Sequence, residues 1–168
     1  LDVRNGVYSD KADAIIRDVI EKLEKFYPDR SLAIITPFRD SVKELQKRFC
    51  TSDLELDITI ETIDRIQGMT VDYAILYIPG RNPGFALEDR RFNVATSRSL
   101  STTLIISDMP LNEFHTVSPT VLQFIGNCDK FDGKTNVWRT NLQESESSAP
   151  IVQPISEEKT VSTVSSTI

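Results

Sequence analysis

Three apolar runs, each the length of one strand, constrain what this chain can fold into. They are Ser31-Leu-Ala-Ile-Ile-Thr36, Val71-Asp-Tyr-Ala-Ile-Leu-Tyr-Ile78 and Ser101-Thr-Thr-Leu-Ile-Ile-Ser107. Strands with little polar alternation are buried on both faces, so the sheet they form needs a covering layer on each side. The intervening sequence supplies those layers. From about Asp10 to Phe26, Ala12, Ile15, Ile16, Val19, Ile20, Leu23 and Phe26 recur at helical spacing. Ser9 or Asp10 can cap that helix, and Pro28 stops it. A second amphipathic stretch, about Asp40 to Phe49, turns Val42, Leu45 and Phe49 inward, and a third, Glu88 to Ser97, offers Phe92, Val94 and Ala95. A shorter β-prone piece lies between Leu56 and Ile63. Strand alternating with helix predicts an α/β fold, a mostly parallel sheet with helices on both faces.

Beyond Pro110 the pattern weakens. Val121 to Ile125 could begin a short helix, and Asn136 to Arg139 reads as an edge strand or a loop. From about Gln143 the chain is rich in Ser, Thr, Glu and Pro, with too little apolar mass to offset the entropy of ordering. The expectation is one domain over residues 1–140 and a disordered tail over 141–168. The longest apolar runs are strand-sized, and neither a membrane span nor a signal peptide is legible, which reads as a soluble cytoplasmic protein. Cys50 and Cys128 lie outside any Cys-x-x-Cys spacing, and His115 is the single histidine. A His-based metal site and a Ser-His-Asp triad are thereby set aside. The net charge of −6 argues against holding nucleic acid by bulk electrostatics, while leaving room for a few placed contacts.

Three segments can carry chemistry, each where a strand ends or a helix begins, the ligand side of open α/β sheets. In Ile34-Ile-Thr-Pro-Phe38 a hydroxyl follows a buried strand; by itself this is more often a strand-terminating turn. In Glu61-Thr-Ile-Asp-Arg-Ile-Gln-Gly-Met-Thr-Val-Asp72, Gly68 permits close backbone approach, ringed by Thr62, Asp64, Gln67 and Thr70. Such a loop can touch phosphates through N–H groups and hydroxyls, or simply turn between strands. In Asp89-Arg-Arg-Phe-Asn-Val-Ala-Thr-Ser-Arg98, Arg91 and Arg98 would share one helical face near Val94. Arginine stabilises charge on a transferring phosphoryl group well, although charged helix residues are more often solvated surface.

Taken in order, these segments resemble the motor motifs of superfamily 1 helicases, in the branch of the nonsense-mediated decay helicase, over roughly Ser9 to Asp108. Ile-Thr-Pro-Phe38 is similar to the Ile-Thr-Pro-Tyr that opens that family's second RecA-like domain. Thr62-Ile-Asp-x-x-Gln-Gly68 resembles its Thr-Val-Asp-x-x-Gln-Gly, and Arg90-Arg-Phe-Asn-Val-Ala-x-x-Arg98 its Arg-Arg-Leu-Asn-Val-Ala-x-Thr-Arg. The resemblance implies an arginine finger at Arg98. It implies ATP-side roles for Gln67, Gly68, Thr70, Arg91 and Lys11, and backbone contacts to single-stranded DNA or RNA from Thr36, Pro37 and Thr62. Asp64 would brace its own loop.

This sequence departs from the family where Met69-Thr70 follows Gln-Gly in place of x-Glu, where Phe38 replaces Tyr, and where Ser41 and Ser97 replace Gln and Thr. It contains no Gly-x-x-x-x-Gly-Lys-Ser/Thr loop; Gly133-Lys-Thr135 is a decoy, because Cys128 stands where the first glycine belongs. The expectation is a fragment of a longer protein whose first motor domain supplies most of the ATP and Mg2+ site. The chain would then add a finger and strand contacts, and be inactive in isolation. The alternative is a degenerate, non-enzymatic RecA-like module that binds protein or nucleic acid.

Overall fold

The computed structural model describes residues 3–4, 7–50, 54–110 and 117–128, all within one compact unit, Leu1–Cys128. The expected domain end near residue 140, the edge strand at Asn136 to Arg139 and the tail over 141–168 lie outside the described residues.

A small antiparallel pair, β1 (Val3–Arg4) and β2 (Tyr8–Ser9), leads into α1 (Asp10–Phe26). Ser9 is the N-cap of α1, its hydroxyl accepting from the Ala12 N–H, and the helix closes at Tyr27, just before Pro28. Ala12, Ile16, Val19, Ile20 and Leu23 form its buried face. There follow β3 (Ser31–Thr36), α2 (Arg39–Phe49), β4 (Asp57–Thr62), β5 (Val71–Ile78), α3 (Pro83–Ala86), α4 (Asp89–Thr96), β6 (Ser99–Ser107) and α5 (Pro119–Asn127). The sheet order is β4-β3-β5-β6, with every neighbouring pair parallel. The expected α/β, RecA-like architecture is therefore present.

Alternation along β3 and β5 divides the core. Ala33, Ile35, Ala74, Leu76 and Ile78 pack with Phe92 and Ala95 of α4 and Val121 of α5. Leu32, Ile34, Ile75 and Tyr77, of opposite parity and essentially unexposed, face the other way. On that side Tyr77 meets Tyr8 edge-on at 5.4 Å, and Tyr27, at the end of α1, lies 6.0 Å from Tyr73. The sheet is sandwiched, as uninterrupted apolar strands require. Asp72 fastens β5 to β3 where both begin, accepting from the Ser31 N–H at 2.9 Å and hydroxyl at 2.8 Å.

The structure corrects three local expectations. Ser101–Ser107 is not buried on both faces: β6 is an edge strand among the described residues, with Ser101 and Thr102 exposed and Leu100 75% exposed. An apolar run cannot by itself distinguish an edge from a centre. The third helix stops at Thr96, so Arg98 is not on it; β6 begins two residues earlier than expected, at Ser99. A short helix, α3, lies between β5 and α4.

Candidate functional site

The motif residues do not gather on one edge of the sheet. The four strands run the same way, so Thr36 and Thr62 stand at the carboxyl edge, where β3 and β4 end. The chain then travels from Ile63 to Thr70 to reach the amino edge, where β5 begins beside β6: the Val71 N–H donates to the carbonyl of Arg98 at 3.0 Å. Helix α4 makes the same journey, carrying Arg90 and Arg91 in its first turn and delivering Arg98 to the amino edge. Between these two descending segments lies a groove of about 360 Å³, lined by Ile63, Asp64, Gln67, Arg90, Arg91 and Val94, with Glu88 at its head.

Local rules explain the placement. Glu88 caps α4, its carboxylate accepting from the Arg90 and Arg91 N–H groups, and its Oε2 also takes Nη1 of Arg91 at 3.3 Å. Asp64 lies 3.6 Å from Nε of Arg91, an ion pair to the helix opposite. Sequence spacing gave no sign of that cross-segment pair. Gly68 sits at φ +89°, the left-handed region that a side chain resists, and lets the loop turn toward Met69. Gln67, Gly68 and Thr70 are all exposed.

Arg98, at the amino edge, is not among the residues that line the groove. Its Nε donates to the Val94 carbonyl at 2.8 Å, Nη1 to the Met69 carbonyl at 3.2 Å, and Nη2 to the Ser97 hydroxyl at 2.9 Å. The helical face predicted for Arg91, Val94 and Arg98 is thus not formed: Arg91 and Val94 line the groove, and Arg98 lies past the end of the helix. Arg98 reaches Val94 by folding back onto the helix C-terminus, where cations are favoured.

The remaining sequence-derived residues lie elsewhere. Thr36 is 0% exposed, and its hydroxyl finds no hydrogen-bond partner among the described residues. Pro37 is buried and Lys11 exposed on the first turn of α1. Thr62 is buried but lines a second groove of about 250 Å³, shared with the cations Arg39, Lys43 and Arg65. Glu61 also lines it and pairs with Arg65 at 3.6 Å, which leaves two cations over; net charge, averaged over the whole chain, gave no sign of this local excess. A polar cluster also ties β2 to the carboxyl ends of β5 and β6. Asp108 accepts from Ser9 at 2.5 Å and from Tyr77 at 2.6 Å. Burial, then the Asp108 carboxylate, pushes the Tyr77 phenol well above its ordinary range. No group of three or more His, Cys, Asp or Glu able to hold a metal occurs among the described residues.

A parallel sheet covered on both faces, with an arginine-lined groove beside it, defines the class, and sequence comparison agrees. The AAA domain family matches residues 4–110, and the chain belongs to it. Within that family the chain is helicase-like. It is 33% identical over 108 residues to "DNA polymerase alpha-associated DNA helicase A" of Saccharomyces cerevisiae, covering 61% of this chain and 16% of that one. It is 31% identical over 111 residues to "Helicase sen1" of Schizosaccharomyces pombe, covering 60% and 6%. "Probable helicase MAGATAMA 3" of Arabidopsis thaliana is 31% identical over 99 residues, covering 52% and 12%. The chain thus spans between 6% and 16% of the length of these curated relatives. No helix among the described residues is long and apolar enough to cross a membrane.

Proposed function

We propose that residues 1–140 form the second RecA-like motor domain of an ATP-dependent superfamily 1 helicase in the nonsense-mediated-decay-helicase-like branch. In this reading residues 141–168 are an appended tail and the protein works in the cytoplasm. One observation carries the proposal. The groove between α4 and the loop after β4 is lined by Gln67, Arg90 and Arg91 together with the acids Asp64 and Glu88, and Arg98, outside that lining, ties the end of α4 to the loop through the Met69 carbonyl. Planar guanidinium groups along a cleft suit a polyphosphate.

ATP and Mg2+ would be held mainly by a first motor domain facing this groove, with the metal neutralising phosphate charge. This chain's residues fit the phosphate side of such a site. Nη1 is the Arg91 nitrogen with a hydrogen bond among the described residues, and its buried Nε lacks one. Gln67 and Thr70 present exposed polar groups, and Gly68 lets the backbone approach. Lys11 belongs to the same expectation, at the start of α1. Arg98 would exchange its Met69 and Val94 carbonyls for the γ-phosphate, acting as the finger. Thr62 would meet a single DNA or RNA strand at the carboxyl edge through the groove it lines; Thr36 and Pro37, buried in this structure, belong to the same expectation and would have to be uncovered to reach the strand.

The test is Arg98→Ala in the full-length protein that carries this domain. Strand-stimulated ATP hydrolysis should fall by roughly 10³-fold or more while ATP binding persists. Unchanged turnover would favour the second reading, a non-enzymatic RecA-like module for protein or nucleic-acid binding. Two observations speak for that reading: Thr70 stands where the motif this segment resembles has an acid, and Arg98 is engaged by three internal hydrogen bonds.

A further inference from the structure

At the carboxyl edge, two rings and two guanidinium groups assemble from segments far apart in sequence. Phe38, ahead of α2, stacks on Phe85 of α3 with centroids 5.8 Å apart and planes 19° from parallel. Arg81 lies 4.4 Å over the Phe38 ring and Arg91 lies 4.0 Å over the Phe85 ring. Acids hold the two arginines from the side: Asp40 is 3.2 Å from Arg81, while Glu88 and Asp64 are 3.3 and 3.6 Å from Arg91. Phe85 and Arg81 belong to none of the three motif segments, yet they join Phe38, Asp64 and Arg91, which come one from each.

A long cationic side chain loses much rotamer freedom when it grips a ligand, and this cost falls if the free protein has already ordered it. Arg91 is ordered in this way. Its guanidinium lies on the Phe85 face, with Nη1 the nitrogen hydrogen-bonded within the described residues, and the side chain lines the groove. Phe38 supports Phe85 from the α2 side.

We propose that Phe85 is a positioning residue: its ring orders the Arg91 guanidinium at the head of the groove for a phosphate-bearing ligand. The inference rests on reading the groove as phosphate-facing. It is tested by titrating the full 168-residue chain with inorganic tripolyphosphate at low ionic strength, comparing wild type with Phe85→Leu, Phe85→Met, Phe85→Trp and Arg91→Ala. Losing the ring face should weaken binding roughly two- to fivefold in the Leu and Met variants, while Trp, the better cation–π partner, retains it. In an Arg91→Ala background, Phe85→Leu should have no further effect.

A packing role alone predicts the reverse order, with Leu and Met tolerated and Trp disruptive, and that order overturns the proposal. So does an equal Phe85→Leu effect with or without Arg91. The two aliphatic variants guard against one misfolding, which circular dichroism would reveal. If binding falls with Arg91→Ala but is untouched by Phe85→Leu, the positioning role fails and the phosphate-facing groove stands. If wild type does not bind tripolyphosphate, the groove reading falls and takes the inference with it.

Discussion

Thr36→Val should stabilise this protein, and Ser41→Ala should destabilise it, although both residues are 0% exposed near the same edge of the sheet. The Ser41 hydroxyl donates to the Val7 carbonyl at 2.7 Å, whereas the Thr36 hydroxyl is buried without a partner among the described residues. Leaving a buried hydroxyl unsatisfied costs about 1–3 kcal/mol, and a made hydrogen bond contributes about 1 kcal/mol net. Valine keeps the β-branch and nearly the volume of threonine, and strands favour it. The expected gain for Thr36→Val is about 1–2 kcal/mol, at the low end if the strand relaxes. The expected loss for Ser41→Ala is about 1 kcal/mol. For a domain of this size, one kcal/mol moves Tm by roughly 3–5 °C. Urea denaturation with a fixed m-value, supported by thermal melts, reads both signs. A Thr36→Val variant less stable than wild type would show that the hydroxyl is engaged, and would refute the reasoning. A hydroxyl retained at structural expense where a central strand ends is also the expected form of a ligand contact. Under the proposed function, the same variant should weaken binding of a nucleic-acid strand.

Gly68→Ala should cost about 1–2 kcal/mol from the left-handed backbone alone, because a Cβ there would meet nothing within 4 Å; an unchanged urea midpoint would contradict this. The Ser31 N–H and hydroxyl, with Arg30, hold the Asp72 carboxyl below its ordinary value. A depressed folded-state pKa stabilises above the unfolded value and is lost as pH falls through the folded one. Asp72→Asn should therefore be destabilising at pH 7, with the difference shrinking below about pH 4 as the wild-type carboxylate protonates; a pH-independent difference would argue against the mechanism. Burial raises Tyr8 and Tyr77 far above the usual phenol range, assisted by Asp13 and Asp108 respectively. Their neutral forms stabilise the fold fully below about pH 10, and that contribution declines as pH rises further. Absorbance at 295 nm should show these two phenols ionising only with alkaline unfolding, and early reversible titration of all four tyrosines would count against it.

The layered arrangement was legible before any coordinates. Apolar runs at Leu32–Ile35 and Val71–Ile78 have no stable placement except between two coverings, and Ala12, Ile16, Val19, Ile20 and Leu23 recur at the spacing that builds one. Ser9 and Pro28 mark where that helix starts and where it must have ended, because caps and breakers act within one turn. Gly68 was legible for the same reason, a local backbone demand met by one residue type. Strand order was not legible: a run such as Thr102–Ile106 looks the same whether it is central or, as here, an edge. The reach of Arg98 to the Met69 carbonyl, the Asp64–Arg91 pair and the meeting of Phe38 with Phe85 belong to tertiary structure alone. Each joins segments whose separation along the chain carries no distance information until the parallel register brings them together. Motif spacing shows which side chains can do chemistry; only the folded sheet decides which of them share a groove.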